Sequence, residues 1–441
     1  MGVAPNSPVA DWVVQPRGDH YGTFVNQVGG GDATVTRTTP KTIYDPTDGL
    51  IHDVPAGSLA VNPWSAYQTG GVGYAAVIEE ARTNYLTNSY GAANASNMWT
   101  GWVWSGVSPV TRSIVAGVYG STAQRIVYDG VAAASAATLQ FQQTTAAGTF
   151  AAAETAMGTM WLKGSRVGCT AELHLIAWNS GGSYLGGAQV AVVPTVGWSR
   201  FSLAYASLPA NTSHVLFMLK LSGIDTGDTY DLAFDACQLE KSSAQYPGAT
   251  SYIPTTTVTA TRDLDRVLVP TAGWSNGTGM TLLVVSDGTR PGTFYGNLLE
   301  PSYNTDNRLR VSRSASAVSA GAQVGGVGYI AAIAKAGACV AVGRFQVGAP
   351  VSVFADGARA DSAASLASMP PMAISASLGG GSMSFVPLGG PVARATVYDT
   401  ALTDEQLAAV DMTTDLLNGN ASIVYEKSVG VVSSVKFMPR G

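Results

Sequence analysis

The chain has 441 residues, enough for two or three domains that each bury a core of their own. Charged residues make up 12% of it, against roughly a quarter in an average globular domain, and the formal net charge is −5. This balance argues against nucleic acid as a main partner, because phosphate binding needs a basic surface, and it leaves few groups for acid–base chemistry. Gly numbers 51, and Ala, Thr, Ser and Val fill much of the remainder. Small and β-branched residues broken by frequent turns favour sandwiches over helical bundles. The three cysteines, Cys169, Cys237 and Cys339, fit no zinc spacing and read as buried free thiols, with a Cys169–Cys237 pairing left open. The first residues lack a basic segment followed by an apolar run, and no stretch of about 18 apolar residues exists, so neither a leader nor membrane insertion is expected.

Residues 1–77 carry Pro5, Pro8, Pro16, Pro40, Pro46, Pro55 and Pro63 with a triple glycine at 29–31. They read as an irregular N-terminal docking arm with short strands near 33–37 and 42–44. Residues 78–254 alternate apolar and polar in strand-sized runs at 122–128, 137–142, 159–163, 170–178, 198–204, 214–221 and 229–240, separated by glycine turns. They predict a first antiparallel β-sandwich. Residues 255–269 read as an extended connector whose Arg262, Asp263, Asp265 and Arg266 suit a solvated edge.

Residues 270–412 repeat the strand logic at 280–286, 292–298, 308–313, 328–333, 340–345, 349–355, 372–377 and 392–398, and predict a second sandwich. Asp356-Gly357 is a hairpin signal, since both residues tolerate positive φ. One helix is expected, from Asp404 to about Met412: Thr403 is placed as its N-cap, Gln406 completes a capping box, and Leu402 staples onto Leu407. Residues 413–441 form a C-terminal extension with one strand at 429–437 that would add to a neighbour's sheet edge. The fold class is therefore all-β: two antiparallel β-sandwich (jelly-roll) domains, an irregular arm and one short helix near the C-terminus.

Several motifs read as structural. Gly273-Trp274-Ser275-Asn276-Gly277 matches a nucleophile elbow but lacks the strand before it and the helix after it. Arg17-Gly18-Asp19 reads as a turn. Glu79 and Glu80 are neighbours on a strand and point to opposite faces, so they cannot flank one glycosidic bond; Glu172 and Glu240 have no evident partner. The chain is therefore expected not to be an enzyme. His174 and His214 fall in strands that could face each other. Asp225, Asp228 and Asp231 offer oxygens to a structural Ca²⁺ at a turn, with a capped turn as the plainer reading; no other cofactor is expected.

Aromatic residues are the serious functional candidates, because sugar rings stack on Trp and Tyr while their hydroxyls bond to Asn, Asp and Gln. Trp99, Trp102 and Trp104 cluster and read as core. Trp178 and Tyr184 flank the polar turn that contains Asn179, and Tyr295, Tyr303 and Asn304 do the same in the second sandwich; these six are the candidate glycan contacts.

Two segments carry a family resemblance: 78–88, IEEARTNYLTN, and 238–262, QLEKSSAQYPGATSYIPTTTVTATR. They resemble a tailed-phage virion protein family in which the first opens a carbohydrate-binding-like β-sandwich and the second closes it. Residues 33–50, ATVTRTTPKTIYDPTDGL, are similar to the same family's lead-in. Residues 392–407, VARATVYDTALTDEQL, resemble the last strand and helix of laminin-G or concanavalin-like jelly rolls. The resemblance implies a structural protein made in the host cytoplasm and carried on the particle exterior as a decoration, fibre or tail-tip component. It implies other virion proteins as partners, a homo-oligomer with a trimer favoured, and adhesion to host-surface polysaccharide. A purely architectural role and a polysaccharide-degrading tail enzyme are the alternatives.

Overall fold

A computed structural model describes residues 8, 10–16, 20–28, 31–63, 74–91, 99–106, 110–130, 137–242, 248–274, 277–286, 296–304, 306–314, 316–336, 339–355, 357–373, 375–378, 390–411, 421–428 and 431–439. The protein is nearly all β, in antiparallel sheets, with one short helix among the described residues. Its chain divides into two compact units, one formed by 41–53 and 81–263, the other by 1–40, 54–80 and 264–441. The candidate sites at Tyr295, Ser275-Asn276 and Arg17–Asp19 lie outside the described residues, as does the side chain of Tyr303.

The unit built on 81–263 is a two-layer sandwich of two five-stranded sheets. One runs in the order Thr111–Val115, Ala123–Tyr128, Thr229–Ser242, Thr155–Val167, Ser199–Tyr205. The other runs Tyr184–Val192, Thr170–Trp178, His214–Ile224, Ala137–Thr144, Val103–Gly106. The period-two alternation that predicted the strands is the alternation that fills the core: Leu173, Leu175 and Ala177 with Val215, Phe217, Leu219 and Leu221 face Ala156, Met160, Leu162, Leu232 and Phe234. The tryptophan cluster is core, as expected. Trp102 stacks on Phe141 with ring centroids 4.4 Å apart and planes within 5°, and Trp99 meets Phe141 and Phe234 edge-on. The cysteines are buried free thiols, so Cys169 and Cys237 do not pair.

The two sequence anchors meet in this unit. Strand Arg82–Asn84 pairs with Ala260–Arg262. Asn84, wholly buried, uses its full bonding capacity: its amide donates to the carbonyls of Cys237 and Ile253, and its Oδ1 accepts from the N–H groups of Leu86 and Leu239. Gln238 accepts from Ile253 N–H at 2.6 Å, and Glu240 accepts from both the N–H and the hydroxyl of Thr250. Arg262 donates to the hydroxyl of Ser251 at 2.6 Å. It is 1% exposed, and Asp265 in the other unit is 3% exposed and bonded to Arg37, so these two do not lie on the solvated edge that the charges predicted, whereas Arg266 is exposed. Arg262 and Asp265 are taken up by Ser251 and Arg37, which composition cannot reveal.

The outer face of the first sheet is covered. The hairpin Lys41–Asp45 with Leu50–Val54 and the segment around Tyr252 lie on it, placing Tyr44 4.5 Å from the Trp161 ring and burying Ile51, Val118 and Ala236. Beneath this layer sits a wholly buried acid, Asp235. Its Oδ2 accepts from Tyr119 N–H at 2.9 Å, while its Oδ1 has no hydrogen-bond partner among the described residues. Burial pushes its carboxyl up to about 7, against the backbone N–H groups of Tyr119, Ala236 and Val118, which favour the charge. The chain bends tightly here: Ala236 has φ +48°, and a Cβ on Gly117 would lie 2.1 Å from the Asp235 carboxylate.

In the other unit a nine-stranded sheet runs Ala10–Pro16, Tyr21–Asn26, Leu59–Pro63, Tyr74–Ile78, Gly390–Tyr398, Gly279–Ser286, Cys339–Gln346, Pro350–Ala355, Ala358–Ser365. It packs on a second sheet, Val327–Ala334, Ala317–Val324, Asn307–Arg313, Gly296–Glu300, Ser375–Leu378, Arg266–Pro270, Thr34–Thr36, with Ser302–Asn304 beside Asn307–Arg313. Leu282, Val284, Leu309, Val311, Ala341 and Val353 fill the space between. Here the structure differs from the expectation for residues 1–77: instead of an irregular arm, five of their strands complete these two sheets. Ala10–Pro16 pairs with Gly390–Tyr398, and Arg394 forks onto the buried Asp11 with bonds of 2.8 and 2.6 Å. The pairing spans more than 380 residues, so nothing local in the sequence marks it.

The helix forms as predicted, over Asp404–Asp411. Gln406 N–H donates to the Thr403 hydroxyl and Thr403 N–H to the Gln406 side chain, closing the capping box, while Leu402 and Leu407 share one buried cluster. Pro350–Ala355 and Ala358–Ser365 pair as the expected hairpin, with Gly357 at φ +79°; Asp356 lies outside the described residues. At the C-terminus Ala421–Ser428 pairs with Val431–Pro439 as a two-stranded ladder.

Candidate ligand-binding face

One sheet of the first sandwich has its outer face covered by aromatic side chains. The second sheet, led by Tyr184–Val192, turns its outer face the other way, and that face is the candidate site. Its residues are fixed by register. Those facing the core alternate with those facing out, and cross-strand pairing aligns the outward ones into rows.

The central row of the face is Gln189, His174, Met218, Gln142 and Val103. The next is Ala191, Glu172, Lys220, Gln140 and Ser105. On the opposite side lie Gly187, Ile176, Leu216 and Thr144, and at the end Tyr184, Trp178 and His214. Five strands at spacings of about 4.8 Å give the face a width of about 19 Å. Its floor is apolar and sunken: Met218 is 4% and Leu216 7% exposed, although neither belongs to the core between the sheets. Around that floor stand long polar side chains. His174 Nε2 lies 3.2 Å from Glu172 Oε2, and the Ser105 hydroxyl donates to Gln140 Oε1 at 3.2 Å. Apolar floor, amide and charged rim, aromatic end: this arrangement can hold a flat molecule that has apolar faces and polar edges.

Three predicted residues sit at the aromatic end. Trp178 and Tyr184 are cross-strand partners, with ring centroids 6.1 Å apart and planes at 77°. Tyr184 is 62% exposed. Asn179 shapes the turn between them: its Oδ1 accepts from the N–H groups of Gly181 and Ser183 at 3.0 and 2.8 Å. Asn179 therefore positions the two rings. Tyr205 comes up from the other sheet beneath Gly186, where a Cβ would meet its hydroxyl at 2.7 Å.

Elsewhere the candidates separate. Asn304 caps its own turn, accepting from Asp306 N–H and from the Asn307 amide. The three aspartates of 225–231 do not converge. Asp228 accepts from Asp225 N–H at 2.9 Å, a capped turn, while Asp231 is forked by Arg125 at 2.8 and 2.6 Å, which holds its carboxyl below the usual range. His174 and His214 both lie on the open face but pair with Met218 and Trp178, not with each other. Glu172 has His174 as a partner, and Glu240 is a buried clamp. Nothing in the sequence singles out Gln140, Gln142, Gln189 and Lys220: polar residues at alternate strand positions read as ordinary solvent-facing ones until register aligns them.

No family model matches the sequence, and no curated protein matches it. Among solved structures, a bacteriophage CBA120 tailspike protein 4 enzymatically active domain aligns at 14% identity and TM-score 0.28, over 36% of this chain and 21% of that one. TmCBM61 in complex with β-1,4-galactotriose aligns at 18% identity and TM-score 0.25, over 35% of this chain and 97% of that one. Mouse laminin α1 domains LG4-5 align at 10% identity and TM-score 0.26, over 59% of this chain and 90% of that one. Among the described residues no helix is long and apolar enough to cross a membrane.

Proposed function

We propose that this chain is a non-enzymatic structural protein of a tailed-phage virion, displayed on the particle exterior, and that its first sandwich adheres to host-surface carbohydrate. The observation that carries the binding role is the uncovered outer face of the second sheet, with Met218 and Leu216 as a sunken floor between His174, Gln142, Gln140 and Lys220. Trp178 and Tyr184 close one end as a stacking platform. The virion setting rests on the sequence anchors, whose residues build the clamp around Asn84. Binding is favoured over hydrolysis because Glu172 is the one carboxylate on the described face, whereas cleavage of a glycosidic bond takes two. The partners in this reading are other virion proteins and a surface polysaccharide. Ca²⁺ is not part of it, since Asp231 is engaged by Arg125.

The test is purified protein on a glycan array and on host cells, beside the variants Lys220→Ala, Gln142→Ala and Trp178→Ala. Binding that falls at least about tenfold in each variant, with melting temperature unchanged, supports the reading. Absence of binding to every glycan and cell surface tested leaves the architectural role and removes adhesion. Release of reducing ends from host polysaccharide would show an enzyme instead.

A further inference from the structure

The outward row Ala191, Glu172, Lys220, Gln140 and Ser105 holds one cation, one carboxylate and one amide. Register sets Lys220 directly across from Gln140 on one neighbouring strand and from Glu172 on the other. Side chains opposite each other in this way start about 5 Å apart and reach a common point above the sheet. The carboxylate is nevertheless engaged by histidine rather than by lysine: Glu172 Oε2 lies 3.2 Å from His174 Nε2. Among the described residues the Lys220 ammonium has neither an ion pair nor a hydrogen bond.

The amide beside it is oriented by a different contact. Gln140 Oε1 accepts from the Ser105 hydroxyl at 3.2 Å, so what Gln140 has left to offer is its N–H groups, which have no acceptor among the described residues. Lys220 and Gln140 are both half-buried. An ammonium and an amide N–H group thus stand side by side with donors only. Sugar hydroxyls donate as well as accept, whereas a carboxylate only accepts and carries the opposite charge, so it is the better match for this pair. Met218, on the sunken floor, lies on the same strand and face as Lys220, two positions and about 7 Å along. A pyranose ring seated on Met218 brings a carboxylate attached to that ring within reach of the Lys220 side chain.

We propose that the polysaccharide held by this face is an acidic one, and that Lys220 and Gln140 bind the carboxylate of one of its sugars while the ring of that sugar rests on Met218. The inference rests on the adhesive role proposed above and adds the substrate class to it. The net charge of the chain, −5, does nothing to attract an anionic polymer from a distance, so recognition depends on this short-range contact. The Glu172–His174 pairing is part of the arrangement, because it keeps the carboxylate of the row engaged while the cation beside it stays available.

The experiment is calorimetric titration of the full chain with surface polysaccharide extracted from host cells, before and after carbodiimide–borohydride reduction. That treatment turns sugar carboxylates into neutral hydroxymethyl groups and leaves the glycosidic chain intact. Wild type is expected to bind the native polysaccharide at least about tenfold more tightly than the reduced one. Lys220→Gln, with melting temperature unchanged, is expected to bring the affinity for the native form down to that for the reduced form and to leave the latter nearly as it was. Lys220→Arg is expected to keep most of the preference. Equal affinity of wild type for the two forms, binding to a polysaccharide that holds no acidic sugar, or an equal loss on both forms in Lys220→Gln would each overturn this inference and leave adhesion standing. Binding to neither form, nor to any arrayed glycan, would remove adhesion and this inference with it.

Discussion

Asp235 is a buried acid whose protonation the fold must accommodate, and its replacement by asparagine tests that arrangement. Its carboxyl rises from 3.8 to about 7 because burial penalises the charge more than nearby N–H groups relieve it. The folded state therefore holds a proton that the unfolded state has released over the whole interval from about pH 4 to pH 7. The stability that Asp235 contributes is fully present below the lower value and is lost as pH rises through the upper one. Between those two values each pH unit removes about 1.4 kcal/mol, so the interval of roughly three pH units removes about 4 kcal/mol. Asparagine keeps the shape and the accepting oxygen but cannot ionise; its amide N–H group takes the place of the unpartnered Oδ1, and burying that donor costs about 1 kcal/mol. Urea unfolding of wild type and Asp235→Asn at about pH 5, 6, 7 and 8 is the assay, and the difference between the two proteins cancels other titrating groups. Wild type is expected to lose about 1.4 kcal/mol per pH unit relative to the variant between about pH 5 and 7, and to be the less stable by about 3 kcal/mol at about pH 8. A difference that stays flat, or that favours wild type as pH rises, refutes the reasoning.

Asn84→Ala leaves two buried carbonyls and two buried N–H groups without their partners; about 1 kcal/mol for each predicts a loss near about 4 kcal/mol, read as a collapse of the melting temperature. Thr403→Ala removes the cap of the Asp404–Asp411 helix and is expected to cost about 1 kcal/mol in denaturant unfolding. Cys169, Cys237 and Cys339 are buried, with burial holding the Cys169 and Cys237 thiols above their ordinary range, so a thiol reagent is expected to label none of the three in native protein and all three after unfolding. Calcium and chelator are expected to give the same melting temperature, because Asp231 is held by Arg125; a rise of several degrees with calcium would overturn that assignment.

The sequence is most readable where one segment meets its partner through distinctive residues. The stretches around Asn84 and around Gln238 to Arg262 stand out because clamping the sandwich takes an amide with four bonds, a carboxylate on Thr250 and an arginine on Ser251. Alternation marks strands such as Thr170–Trp178 and His214–Ile224, and Thr403 with Gln406 marks the helix. Alternation says nothing about which strands lie side by side, so the pairing of Ala10–Pro16 with Gly390–Tyr398 goes unseen, and proline-rich neighbours hide the strand itself. The open face is obscured for the same reason. Gln140, Glu172, Gln189 and Lys220 become a surface only when four strands from distant parts of the chain are aligned. Trp178 and Tyr184 are legible because a two-ring hairpin end is a local feature.

Hydrogen–deuterium exchange with and without an oligosaccharide chosen by array tests the adhesive face most directly. Slower exchange is expected along Thr170–Trp178, His214–Ile224 and Ala137–Thr144, with the covered sheet unchanged. Protection that falls in the other unit, or on the strands beneath Tyr44 and Tyr252, would contradict the account.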